Sequence, residues 1–79
     1  MWIRAEFTVY PFREGEDPPA YVHAAIGALR SAGLPVEVGP LGQVVTGEAG
    51  DVLEALRAAE EAALAAGASR VAVNLETTS

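Results

Sequence analysis

Few residues in this chain are of types that do chemistry, and their spacing excludes more than it suggests. His23 is the single histidine, and there is no cysteine. A lone imidazole can act as a base or a ligand, but no nucleophilic or metal set can be completed around it, so it reads as a structural or surface residue. Glu14, Glu16 and Asp17 could offer carboxylates to a divalent cation, yet they lack calcium-loop spacing. They precede the pair Pro18-Pro19 and read as a solvated loop entering a helix. Glu60 and Glu61 read as a wet helix face. Gly39, Gly42 and Gly47 match neither phosphate-binding glycine pattern, and no serine sits in a nucleophile elbow. No catalytic residue, metal site or cofactor is expected. What remains is Glu6, Thr8, Tyr10, Gln43, Thr46 and Glu48, placed around strand ends. An aromatic ring, an amide and carboxylates could line a small pocket for a flat, cationic, hydrogen-bonding heterocycle. The same residues could form polar cross-strand pairs at an oligomer interface, and composition alone favours that reading.

The elements that must position these residues follow from periodicity. Trp2 to Tyr10 alternates: Ile3, Ala5, Phe7 and Val9 point one way, and Trp2, Arg4, Glu6, Thr8 and Tyr10 the other. A helix is expected from about Pro18 to Ala32, capped by Asp17. Its apolar stripe is Val22, Ala25, Ile26 and Leu29, and Gly33 forms its left-handed C-terminal cap. Pro35–Val38 and Gln43–Thr46 read as a hairpin around Gly39-Pro40-Leu41-Gly42. Gly47 to Gly50 reads as a break, with Asp51 capping a second helix. That helix carries Val52, Leu53, Leu56, Ala59, Ala63 and Leu64 on its apolar side and ends at Gly67. Ser69 to Thr77 is the last strand, with Val71, Val73 and Leu75 on one face.

The order β-α-β-β-α-β predicts an α+β, ferredoxin-like sandwich: one domain, residues 1–79, with a four-stranded antiparallel sheet and both helices on one face. The first strand and Gln43–Thr46 should be central. The first and last strands should pair so that Arg4 meets Glu76 and Tyr10 meets Arg70. The opposite sheet face stays uncovered, and that face or an edge strand should support a homodimer or homotetramer.

The formal charge of −6 argues against nucleic acid and anionic lipid as partners and is compatible with a cationic ligand. The alternating first strand is not a secretory leader, and no apolar stretch approaches the ~20 residues that span a bilayer. With no disulfide framework possible, a cytoplasmic location is expected.

The chain resembles the small thiamine-binding proteins of the MTH1187/YkoF-like family, formerly a domain of unknown function. The resemblance runs through Ala5-Glu6-Phe7-Thr8-Val9-Tyr10-Pro11, Tyr21-Val22, Ser31-Ala32-Gly33-Leu34, Val38-Gly39-Pro40-Leu41-Gly42 with Val44-Val45, Gly47-Glu48 and Gly67-Ala68-Ser69-Arg70-Val71. It implies a ferredoxin-like subunit, a homo-oligomer that is often tetrameric, and a non-enzymatic role binding thiamine or its hydroxymethylpyrimidine part. Under it, Tyr10 would stack on the heterocycle, Gln43 and Thr46 would hydrogen-bond it, and Glu48 or Glu6 would balance its charge. The chain departs from the family pattern at Gln43, Thr46 and Glu60, where threonine, glutamate and histidine are usual. The alternative is a structural or regulatory oligomerisation module with no small ligand of its own.

Overall fold

A computed structural model describes residues 1–11, 18–39 and 42–78. The elements are β1 (Trp2–Tyr10), α1 (Ala20–Ser31), β2 (Val36–Gly39), β3 (Gly42–Glu48), α2 (Ala49–Ala65) and β4 (Arg70–Thr77). The antiparallel sheet has the order β2-β3-β1-β4, so β1 and β3 are central, as the sequence predicts. This is the ferredoxin-like α+β arrangement. Burying one face of β1 is what the alternation requires: Ile3, Ala5, Phe7 and Val9 lie in the core, with Phe7 and Ala5 wholly enclosed.

Both helices begin elsewhere than expected. α1 starts at Ala20, two residues after the predicted Pro18, with an extended Pro19 (φ −59°, ψ 159°) in the capping position. A proline disfavours helical angles in the residue before it, and Pro18 is followed by Pro19. Asp17, expected as the cap, lies outside the described residues, as do Glu14, Glu16, Pro40 and Leu41. The break expected at Gly47 to Gly50 is absent: β3 runs to Glu48 and passes directly into α2 at Ala49. Asp51 is therefore a first-turn acid rather than the cap, favourable at the positive end of the helix dipole.

The helix stripes are also rotated from the predicted ones. In α1 the buried set is Tyr21, Ala25 and Leu29, at i, i+4 and i+8, while Val22 and Ile26 are half-buried. Tyr21 is amphipathic, and its hydroxyl donates to the Pro11 carbonyl at 2.7 Å, which lets the ring enter the core. In α2 the buried side is Ala49, Val52, Ala55, Leu56, Ala59 and Ala63, and small alanines let the two helices pack closely. Leu53 and Leu64, predicted on that side, are instead 49% and 53% exposed.

Gly33, at φ 79°, follows the C-cap of α1 in the left-handed conformation expected of it. Gly42 is constrained twice. Its φ is 154°, and an added Cβ would lie 2.7 Å from the Phe7 carbonyl oxygen and from Thr8 Oγ1. The start of β3 can therefore lie this close to β1 only with glycine there.

Candidate functional site

Register decides which side chains share a face. β3 pairs with β1 so that Phe7 lies opposite Gln43, Ala5 opposite Val45, Arg4 opposite Thr46 and Trp2 opposite Glu48. Glu6, Thr8, Tyr10, Thr46 and Glu48 are therefore on the outer sheet face, away from the helices. Gln43 shares the inner face with Val45 and Phe7. The six predicted residues do not form one pocket. Trp2, the partner of Glu48, is eight residues from Tyr10 along β1, about 27 Å. Glu48 instead accepts a hydrogen bond from the Met1 amino group at 2.9 Å.

The centre of the outer face is an ion triad. Arg4 Nη1 donates to Glu6 Oε1 at 2.7 Å and to Glu76 Oε1 at 3.0 Å. The cross-strand pairing of Arg4 with Glu76 is the one predicted. The hydrogen bond that Arg4 donates to Glu6, then the one it donates to Glu76, holds the Arg4 guanidinium above its ordinary pKa. Glu6 is thus a partner of Arg4 and not a lone counter-charge. At the far end of β1, Arg70 stacks over the Tyr10 ring, 4.7 Å from its centroid, as their predicted pairing allows. One face of the Tyr10 ring is therefore covered by Arg70 of the same sheet.

Gln43 is the exceptional member. It is the single buried polar side chain among the described residues, 5% exposed, and its Oε1 has no hydrogen-bond partner among them. Leaving such an acceptor unmet costs about 1–3 kcal/mol. The structure around it explains how it comes to be there: Gly42 docks the start of β3 tightly against β1, and period-two alternation from Val45 then turns Gln43 inward. Gln43, Thr8 and Tyr10 lie at one end of the sheet, where β1 finishes and β3 begins, on two different faces of it. Chemical type groups Gln43 with residues of the outer face, although its separation from Val45 by two positions places it on the inner one.

His23 is exposed on α1. Among the described residues, no group of three or more His, Asp or Glu side chains is placed to hold a metal ion, and no helix is long and apolar enough to cross a membrane.

Comparison with known proteins gives a consistent result. The profile of a family described as thiamine-binding protein matches residues 5–79. A domain of unknown function from Bacillus cereus is 27% identical, with a TM-score of 0.71 over 95% of this chain and 72% of its own. A Streptococcus pneumoniae protein is 26% identical, with a TM-score of 0.74 over 96% of this chain and 83% of its own. A Thermotoga maritima protein, described as a candidate for thiamine biosynthesis or salvage, is 22% identical, with a TM-score of 0.70 over 96% and 81%. At 22% identity the likeness is one of fold. No functionally curated protein matches the sequence significantly.

Proposed function

The chain belongs to the thiamine-binding protein family, and from that premise we propose that it is a non-enzymatic homo-oligomer that binds thiamine or its hydroxymethylpyrimidine moiety. The observation that carries this reading is the buried, unpartnered Oε1 of Gln43. An aminopyrimidine presents an amino donor beside a ring-nitrogen acceptor. A carboxamide is the complement of that edge, since its oxygen accepts and its nitrogen donates, as when glutamine reads adenine. A ligand whose amino group reaches Gln43 would satisfy the orphaned acceptor and recover its desolvation cost.

The remaining roles follow from position. Tyr10 and Thr8 lie at the same end of the sheet but on its opposite face, so the Tyr10 ring would meet a ligand held by Gln43 only where that ligand reaches round the sheet end. Thr46 and Glu6 lie further along the outer face, where Glu6, Glu76 and Arg4 together carry one net negative charge that would favour a cation over an anion. Glu48, at the opposite end, would act on the ligand only through a neighbouring subunit.

Calorimetric titration with thiamine and, separately, hydroxymethylpyrimidine tests the reading. Saturable heat from either is expected, with stabilisation of about 2.7 kcal/mol when free ligand stands at a hundred times its Kd. No heat and no change in melting temperature with both compounds would refute it and leave the ligand-free oligomerisation module.

A further inference from the structure

The sheet has two edges, and they differ. β2 is four residues long, with prolines flanking it at Pro35 and Pro40, which is how natural sheets blunt an edge. β4 is eight residues long, contains no proline, and is the last strand in the sheet order. Its pairing with β1 fixes which of its backbone groups face outward. The register that sets Arg4 opposite Glu76 continues to a bond from the Thr78 N–H to the Trp2 carbonyl at 3.1 Å. Trp2–Thr78 is thus a hydrogen-bonded pair, and such pairs recur at every second residue. Glu76, Asn74 and Ala72 turn their backbone groups to β1, while Leu75, Val73 and Val71 turn theirs to the open edge.

An antiparallel partner strand must pair these odd-numbered residues with odd-numbered ones. For two copies of β4, the registers that do so with the longest overlap are centred on Val73 or on Asn74. Centring on Val73 places Arg70 opposite the partner's Glu76, Ala72 opposite the partner's Asn74, and Val71 opposite the partner's Leu75. By symmetry there are two Arg–Glu pairs on the outer face and a continuous apolar row on the inner one. Centring on Asn74 places Arg70 opposite the partner's Thr78, Glu76 opposite the partner's Ala72 and Val71 opposite the partner's Thr77, with no charge pair. The charge pairs favour the first register, and the apolar surroundings favour covering this edge in either. Leu75 is 51% exposed and forms, with Leu53 and Ile3, one side of a shallow groove of about 230 Å³. Leu64 follows Leu53 by eleven residues, three helical turns, and so shares its face of α2.

We propose that β4 pairs edge to edge with β4 of a second copy of this chain, antiparallel about a two-fold axis at Val73, with reciprocal Arg70–Glu76 pairs fixing the register. The pairing supplies about six backbone hydrogen bonds, two from each of three hydrogen-bonded pairs, and extends the sheet across both subunits. This inference rests on the homo-oligomer reading above and is independent of the ligand.

The test begins with the native mass of the full chain at micromolar concentration; a monomer overturns both the oligomer reading and this interface. If the chain is oligomeric, Arg70→Glu and Glu76→Arg are compared alone and mixed. Each variant alone opposes like charges twice and should weaken the β4 contact about tenfold or more, whereas the mixture restores both pairs and should re-form a heterodimer. Since the chain has no cysteine, a second readout is clean. Ala72→Cys mixed with Asn74→Cys should form an inter-subunit disulfide on oxidation, because these residues face each other directly, and Asn74→Cys alone should not. An oligomer insensitive to the charge reversals, or one that cross-links through Asn74→Cys alone, overturns the Val73-centred interface while leaving the oligomer reading intact.

Discussion

Replacing Gln43 by methionine should make the ligand-free protein more stable and the ligand weaker. Methionine is unbranched and of similar length, so it can fill the same space under the sheet without leaving a cavity. The substitution removes a buried amide whose Oε1 is without a partner among the described residues, at a site only 5% exposed. The penalty relieved is about 1–3 kcal/mol, and a domain of this size gains ~4–8 °C in melting temperature per kcal/mol. Urea unfolding of the ligand-free protein should therefore show a higher midpoint with an unchanged slope. In parallel titrations, Gln43→Met should bind hydroxymethylpyrimidine about tenfold or more weakly, since the amide-to-aminopyrimidine pair is lost. Gln43→Ala separates the two effects: it also loses the ligand, but the cavity it leaves makes it less stable than Gln43→Met. The reasoning is refuted if Gln43→Met is less stable than the parent while binding is unchanged. In that case the amide would be satisfied within the fold and its burial would serve structure rather than a ligand.

The remaining predictions concern the frame around that site. Gly42→Ala should cost about 1–3 kcal/mol in urea unfolding, because φ 154° is strained for alanine and its Cβ would meet the Phe7 carbonyl at 2.7 Å. Phe7→Ala should cost about 3–5 kcal/mol, the range for a wholly buried aromatic, and at 79 residues that is enough to unfold much of the population at 37 °C. Tyr21→Phe keeps the packing and loses only the bond to the Pro11 carbonyl, so it should cost about 0.5–1.5 kcal/mol in the same assay. Arg4→Ala should move the unfolding midpoint only slightly, and the difference should fade as salt rises, since all three members of the triad are substantially exposed.

The fold was legible because the strongest signals were redundant. β1 alternates without a fault over nine residues, and glycines close both helices, so element order and strand order are legible in the sequence itself. The cross-strand partners Arg4–Glu76 and Tyr10–Arg70 followed from that order alone. Legibility failed where two physical preferences competed. Leu53 and Leu64 are apolar and belong to the stripe the sequence predicts, but α2 packs its alanines inward because close helix–helix and helix–sheet approach favours small residues there. Tyr21 lies outside the stripe that spacing predicts, yet a single acceptor on Pro11 is enough to admit its hydroxyl-bearing ring to the core. Gly47 and Gly50 read as the limits of a break, whereas the strand passes directly into a helix there.

The candidate site was harder to read for a reason specific to sheets. Chemical type groups Gln43 with Thr46 and Glu48, but these lie three and five positions on, and odd separations in a strand cross the sheet. Gln43 therefore departs from local preference more sharply than its neighbours: β3 places an amide where Val45 and Phe7 call for another hydrocarbon. A ligand-free oligomerisation module gains nothing from that choice, since an apolar residue would pack there without desolvating a carboxamide. A protein that must present a paired acceptor and donor to a flat heterocycle does gain from it, because a buried amide discriminates strongly against partners that cannot complete both bonds. On that reading the stability lost at Gln43 in the empty protein would be recovered only when a ligand completes both bonds, and the β4 pairing proposed above would leave that inner-face position untouched.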